Sequence, residues 1–352
     1  MSQERIRWIG HVCSYTPTAL IHAAGFTPYR VLPTGDSPDR AGQLLHDNLC
    51  PHVKRLLDRA MDDDLPTLDG MVFMNCCDSM RRLSDAWRAA RPDHGVAFVD
   101  LPVSNEESAV FFFAGQLTRL SETISGWSGQ SFNEADVSAS IAKFNEMAEL
   151  LEKVSQRARG GTLDGGSFRL QDLFNRAATE PVDQTLELLK TVVQEPELRA
   201  HADNAVPIYL FGNVLPDPEA FALFGSCGVH IAGDSVCTGS RAFRHIGGED
   251  SDQVFVRLAR GLLNQPRCAR TFEPFQPGKI AEEVLAEARM CQAKGVIAYT
   301  LKFCDPYTSR LPAIREVLRE AGLPLLVLEG DCTMRSMGQQ RTRIEAFVEM
   351  LR

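Results

Sequence analysis

Ten cysteines stand along this chain of 352 residues: Cys13, Cys50, Cys76, Cys77, Cys227, Cys237, Cys268, Cys291, Cys304 and Cys332. A thiol can be a nucleophile, a ligand for a soft metal, or a small buried hydrophobe. Disulfides are a further use only in an oxidising compartment. The opening MSQERIRWIG is charged early and carries no apolar core with a cleavage site, so no signal peptide is expected. No apolar run approaches the roughly 20 residues that span a bilayer. The reading is a cytoplasmic chain with reduced thiols and no membrane partner. A net charge of −9 without a basic block leaves no patch to neutralise phosphates, so nucleic acid is not an expected partner.

The placement of the cysteines narrows their use. Cys13 follows a first apolar run, Cys76 and Cys77 follow VFMN, Cys237 follows VHIA by a short loop, Cys304 ends VIAYTLKF, and Cys332 follows LLVLEGD. Parallel α/β sheets bind ligands beyond the carboxyl ends of their strands, and chance would not choose that edge so often. Cys50 (NLCPHVKRLL) and Cys268 (QPRCARTF) approach from helical or loop segments. The two halves echo each other, with Cys13, Cys50 and Cys77 in residues 13–77 and Cys237, Cys268 and Cys304 in residues 237–304. Soft thiolates suit iron–sulfur clusters or zinc. Structural zinc usually leaves a C-x₂₋₄-C knuckle, and CxxC is absent here; long separations favour a cluster wedged between domains.

The elements that must position these thiols are legible as alternation. Strands are expected at 6–13, 27–32, 70–75 and 95–101, then at 207–212, 228–232, 295–301 and 325–329. Most are continuous apolar runs, as in strands covered on both faces. Helical patterns lie between them at 51–61, 80–90, 280–294 and 311–321, which argues for parallel sheets with crossover helices. Residues 106–197 read instead as helices interrupted by RGGTLDGGS. The expected fold is α/β: two open parallel-sheet, flavodoxin- or Rossmann-like domains with a helical insertion and the site in the cleft between them. The expected divisions are 1–105, a mainly helical 106–204, and 205–352.

Other motifs carry weaker chemistry. Asp78 and Asp305 each follow a cysteine and are expected to cap the next helix. In GDSVCTGSR, Gly239 permits close backbone approach, and Arg241 could grip an acid or phosphate or be a surface turn residue. Arg241 is the candidate catalytic residue. His11, His22, His46, His52 and His230 are candidates for acid–base work or ligation, His46 and His52 because they flank Cys50. Phe111, Phe112 and Phe113 could line a pocket or meet a partner, with core packing the plainer expectation. No G-x-x-x-x-G-K-[ST], GxGxxG after the first strand, HExxH or GxSxG is present, so P-loop ATP hydrolysis by this chain is not expected.

The cysteine segments together resemble the 2-hydroxyacyl-CoA dehydratase and benzoyl-CoA reductase superfamily over nearly the whole chain. GHVCSYTPTALIHAAGFTPYRV is similar to the family opening, although Thr18, Ala19 and Leu20 replace the acid usual after the proline. NLCPHVKRLL, DGMVFMNCCDSMRRL and GVIAYTLKFCDPYTSRLPAIREVLREAGLPLLVLEGD resemble its three cluster-cysteine segments, and GQQRTRIEAFVEML its ending. The resemblance implies two α/β domains with a cubane in the cleft, and Cys50, Cys77 and Cys304 as ligands of one [4Fe-4S] cluster; Cys76 is the alternative to Cys77. It implies a separate iron–sulfur ATPase that injects an electron, a homodimer or heterodimer with a related subunit, and an anaerobic setting. Dehydratases of the family then form a ketyl radical from a 2-hydroxyacyl-CoA thioester; the aromatic reductases reduce a ring. One branch carries a double-cubane [8Fe-9S] cluster, needs six cysteines and reduces small molecules. Cys13, Cys237 and Cys268 would complete that six, and the double-cubane reductase is the favoured expectation. The alternatives are a non-catalytic cluster carrier within a larger reductase complex and, more weakly, a zinc protein.

Overall fold

The computed structural model describes residues 5–33, 40–198, 205–247, 253–273, 275–332 and 337–352. The first four residues of the opening and the last six of the expected helical region therefore lie outside it. The first third is β1 (Trp8–His11), α1 (Thr18–Ala23), β2 (Thr27–Arg30), α2 (Pro51–Met61), β3 (Leu68–Asn75), α3 (Asp78–Ala90) and β4 (Gly95–Asp100). Four helices follow, α4 (Glu107–Ser128), α5 (Glu134–Arg159), α6 (Gly166–Thr179) and α7 (Val182–Gln194). The last part is β5 (Val206–Gly212), α8 (Pro218–Ser226), β6 (Val229–Val236), α9 (Val254–Leu263), α10 (Lys279–Met290), β7 (Gly295–Leu301), α11 (Asp305–Glu320), β8 (Leu325–Gly330) and α12 (Met337–Leu351).

Each sheet has four parallel strands, and the order is the same in both: β2-β1-β3-β4 and β6-β5-β7-β8. The fold class is the expected one. Met71, Val72, Phe73 and Met74 in β3, and all of β7, are buried, because helices cover both faces. In the first sheet α2 and α3 share a core with one face, while α1, α4 and α5 pack on the other. Trp127 of α4 lies so close over β3 and β4 that a Cβ at Gly70 or Gly95 would meet its ring at 2.6 or 2.7 Å. The second sheet is covered by α8 and α12 on one face and α10 and α11 on the other.

The intervening helices do not form a body apart. Only α5, α6 and α7 build a core of their own, and α5 also serves the first sheet. Helix α9, from the second half of the chain, packs on α4 and contributes Leu258, Ala259 and Leu262 to the first sheet's core. That crossing ties the two sheets into one packed unit. RGGTLDGGS is the turn between α5 and α6, as its glycines indicate.

Two local expectations need correction. Asp78 and Asp305 are not caps: the N-cap positions belong to Cys77 and Cys304, and each Asp is the first helical residue. The helix begins one residue earlier than an Asp-cap pattern implies. Phe111 and Phe112 are exposed, and only Phe113 is in the core, since three consecutive residues cannot share one helix face.

Candidate metal centre

The strand ends of both sheets meet at a cavity of about 420 Å³. Its wall carries Cys13, Cys50, Cys76, Cys77, Cys237, Cys268 and Cys304. These are seven of the ten cysteines, and all six family-like positions are among them. Cys227, Cys291 and Cys332 are not on that wall; they pack at the C-terminal end of α8, at that of α10, and beyond β8. Among the described residues, no three His, Cys, Asp or Glu side chains gather tightly enough for a single metal ion. The thiols surround a space instead of converging on a point.

Three of them share one local device. Cys50, Cys77 and Cys304 are the N-caps of α2, α3 and α11. A helix start leaves backbone N–H groups unpaired and carries a partial positive charge. Those groups face the sulfurs: the amides of His52 and Val53 toward Cys50, of Ser79 and Met80 toward Cys77, and of Tyr307 toward Cys304. Pro51 and Pro306 follow two of these caps in the first turn, where a proline loses no helical bond. The approach to Cys304 passes through Phe303 in the left-handed region, φ 57°.

The other thiols are held by long-range contacts. Cys237 begins the loop after β6, which pairs with β5 as far as Val236 and so runs further than its Gly-Asp-Ser composition suggests. Arg30, at the end of β2 and buried, reaches across from the first sheet. It donates to the Cys237 carbonyl at 2.8 Å and to its Sγ at 3.0 Å. Asn213, just past β5, donates from Nδ2 to Cys304 Sγ at 3.0 Å. The segment bearing Cys268 is stitched to the end of β4 by Arg270, whose guanidinium donates to the carbonyls of Pro102 and Leu101 at 2.6 and 2.9 Å. Arg310 of α11 donates to the Thr271 carbonyl at 3.1 Å from the other side.

The loop around Cys237 is internally locked. Asp234 accepts from the Ser240 amide at 3.0 Å, and Gly239 packs so tightly that a Cβ would meet Asp234 at 2.6 Å. The close approach expected at Gly239 is thus to Asp234. Arg241 is fully buried, not a surface residue. It donates to the Gly212 carbonyl, the Tyr307 hydroxyl at 3.0 Å, and the carbonyl and hydroxyl of Ser235. It does not line the thiol cavity, so its guanidinium anchors the loop and leaves no fork free for a substrate.

The histidines separate by environment. His22 pairs with Ser140 at 2.8 Å and His230 with the Arg159 carbonyl at 2.7 Å, which are structural roles. His46 accepts from the Asn48 amide in an exposed turn. His11 is buried beside Arg30, and His52 is buried on the cavity wall. Burial, with Arg30 nearby, pushes both imidazoles down to about 3, so both are neutral at ordinary pH.

Protonation among the thiols follows their contacts. Cys76 lies between Cys13 and Cys77, and sharing its single thiol hydrogen with one or the other holds it protonated well above the usual range. The same bonds draw Cys77 down and Cys13 down to about 7, against the effect of burial. Burial pushes Cys50 up to about 12 and Cys304 up to about 11, with neighbouring thiolates adding to it. A bound cation reverses such preferences, because a coordinating thiol is deprotonated outright.

Two parallel α/β sheets with a thiol-walled cavity at their joined strand ends define the class of protein to which this chain belongs. The chain belongs to the family described as 2-hydroxyglutaryl-CoA dehydratase, D-component, which matches residues 13–351. It is similar to the (R)-phenyllactyl-CoA dehydratase beta subunit of Clostridium sporogenes, 23% identical over 100% of this chain and 93% of that one. It is 25% identical to the (R)-2-hydroxyglutaryl-CoA dehydratase subunit beta of Acidaminococcus fermentans, over 97% and 92% of the two chains. A benzoyl-CoA reductase subunit of Thauera aromatica is 22% identical, over 90% and 84%.

Proposed function

We propose that this chain is the electron-accepting iron–sulfur component of a reductase, with a double-cubane [8Fe-9S] cluster in the thiol cavity. Cys50, Cys77 and Cys304 would hold one cubane, and Cys13, Cys237 and Cys268 the other. The observation that carries this reading is the gathering of those six thiols, from both sheets, on one wall. The donor set fits the group. Thiolates are the ligands such clusters take, and the helix-start amides, Arg30 and Asn213 offer N–H groups to sulfur.

When bound, the cluster would supply low-potential electrons to a small substrate. The chain's own residues place the thiolates and set the cations of Arg30 and Arg270 beside them. Arg241 acts as a positioning residue for the Cys237 loop. Cys77, at the start of α3 with the Ser79 and Met80 amides toward its sulfur, would be the ligand of the Cys76–Cys77 pair. The electron would come from a separate iron–sulfur ATPase, the chain would work as a dimer, and its setting would be an oxygen-poor cytoplasm. Among the described residues no helix is long and apolar enough to cross a membrane.

Anaerobic iron and sulfide counting tests the reading: about eight iron atoms per chain is expected, and about four means one ordinary cubane. A colourless protein with stoichiometric zinc would overturn it. The second reading, a single-cubane dehydratase acting on a 2-hydroxyacyl-CoA thioester, is favoured by the names of the similar proteins. Replacing Cys237 with Ser separates the two. Iron should fall towards half or collapse under the first reading and stay at about four per chain under the second.

A further inference from the structure

Two polar side chains on the cavity wall have no hydrogen-bond partner among the described residues. Tyr15 is 2% exposed and its hydroxyl has no hydrogen-bond partner; His52 is 5% exposed and neither ring nitrogen has one. Both line the thiol cavity. Buried polar groups are normally paired, because desolvating a hydroxyl or imidazole without a compensating bond costs free energy. A tyrosine hydroxyl carries a hydrogen, and a histidine ring carries at least one N–H in either protonation state. Each is therefore a buried donor with no acceptor among the described residues, in a side chain that lines the cavity.

Their positions are complementary. Tyr15 stands beside Cys13 and Cys268, with the Arg270 guanidinium 6.0 Å from its ring centroid. His52 follows Cys50 by two residues and already turns its main-chain N–H toward that thiol. One donor thus flanks each set of three cysteines. Neither holds the fold by its polar atom among the described residues, since that atom bonds none of them.

We infer that the Tyr15 hydroxyl and a ring N–H of His52 donate hydrogen bonds to the sulfurs of the group held in this cavity, one beside each set of thiols. The inference rests on the iron–sulfur reading above. Hydrogen bonds to cluster sulfur stabilise the more negative, reduced state, so they raise the reduction potential. They also fix the cluster's orientation, as outer partners do for metal ligands generally.

The test uses the anaerobically purified full chain as wild type, Tyr15→Phe, His52→Leu and His52→Gln. Iron and sulfide are counted in each, and the midpoint potential is measured by a dye-mediated titration followed by electron paramagnetic resonance. The expected result is wild-type iron in all four, a lower potential in Tyr15→Phe and His52→Leu, and a potential returned towards wild type in His52→Gln, which keeps an N–H donor. Full iron with an unchanged potential in Tyr15→Phe and His52→Leu would overturn the inference. Loss of iron on His52→Leu that His52→Gln does not restore would overturn the role of His52 as a donor, leaving Tyr15→Phe, which changes a single oxygen, to decide the rest. Wild-type protein free of iron would overturn both this inference and the reading beneath it.

Discussion

Cys304 and Cys291 have similar chemistry and opposite surroundings. Cys304 caps α11 on the cavity wall with Asn213 bonded to its sulfur, while Cys291 ends α10 and its thiol donates only to the Ala288 carbonyl. Cys77→Ser or Cys304→Ser should therefore lower iron per chain far more than Cys291→Ser; equal loss in all three would mean general misfolding. Arg241 gives a second contrast. Replacing it with Met removes a charged donor from the Gly212 carbonyl and the Tyr307 hydroxyl, and bonds from charged groups contribute about 1.5–3 kcal/mol each. The urea midpoint of Arg241→Met apoprotein should fall by an amount equivalent to about 2 kcal/mol or more. The cysteines were readable from sequence because strand-end placement shows in local pattern. The partners of their sulfurs were not: Arg30 reaches Cys237 from the other sheet, and Asn213 reaches Cys304 across β5 and β7. His52 was marked in sequence by its nearness to Cys50, but no local signal marks Tyr15, and what distinguishes both is the absence of a partner among the described residues in three dimensions.

All eight strands were visible as apolar runs, since strands covered on both faces lack the alternation that blurs into helix or loop. The misreadings fell where tertiary pairing overrode composition. Gly233, Asp234 and Ser235 look like a turn, yet they pair with Tyr209, Leu210 and Phe211 and extend β6 to the edge of the site. α11 begins at Asp305, six residues before the apolar pattern that reveals it, because Pro306 is tolerated in a first turn. Gly212, at the end of β5, shows how tightly the elements meet. Its φ is 151°, and a Cβ there would sit 2.0 Å from the Tyr299 carbonyl oxygen. Gly212→Ala should cost at least about 2 kcal/mol, combining a glycine-only conformation with a backbone clash. Thermal unfolding of the apoprotein reads this directly, and an unchanged midpoint would show that β5 and β7 can separate without loss.

The repetition of strand order relates the halves only in part. Cys77 after β3 and Cys304 after β7 occupy equivalent places, as Cys50 and Cys268 do loosely in the segments before those strands. Cys13 and Cys237 do not match, for one follows β1 and the other β6, the counterpart of β2. Asn213 holds the place in the second half that Cys13 holds in the first, so the similar order of the cysteines in sequence overstated the symmetry. Under the function proposed above, turnover should require a separate ATPase, because this chain has no P-loop of its own; ATP hydrolysis by this chain alone, at a rate matching product formation, would contradict that. Finally, the thiol wall is shared between segments that leave the ribosome far apart in time. Cys13, Cys50, Cys76 and Cys77 are synthesised with the first sheet, but Cys304 appears only after α4 to α10 and β7. At about 5–20 residues per second the early thiols wait roughly 10–60 s for their late counterpart. Through that interval a nascent chain displays reduced sulfur without the half that encloses it, so its thiols are open to oxidation during translation in air.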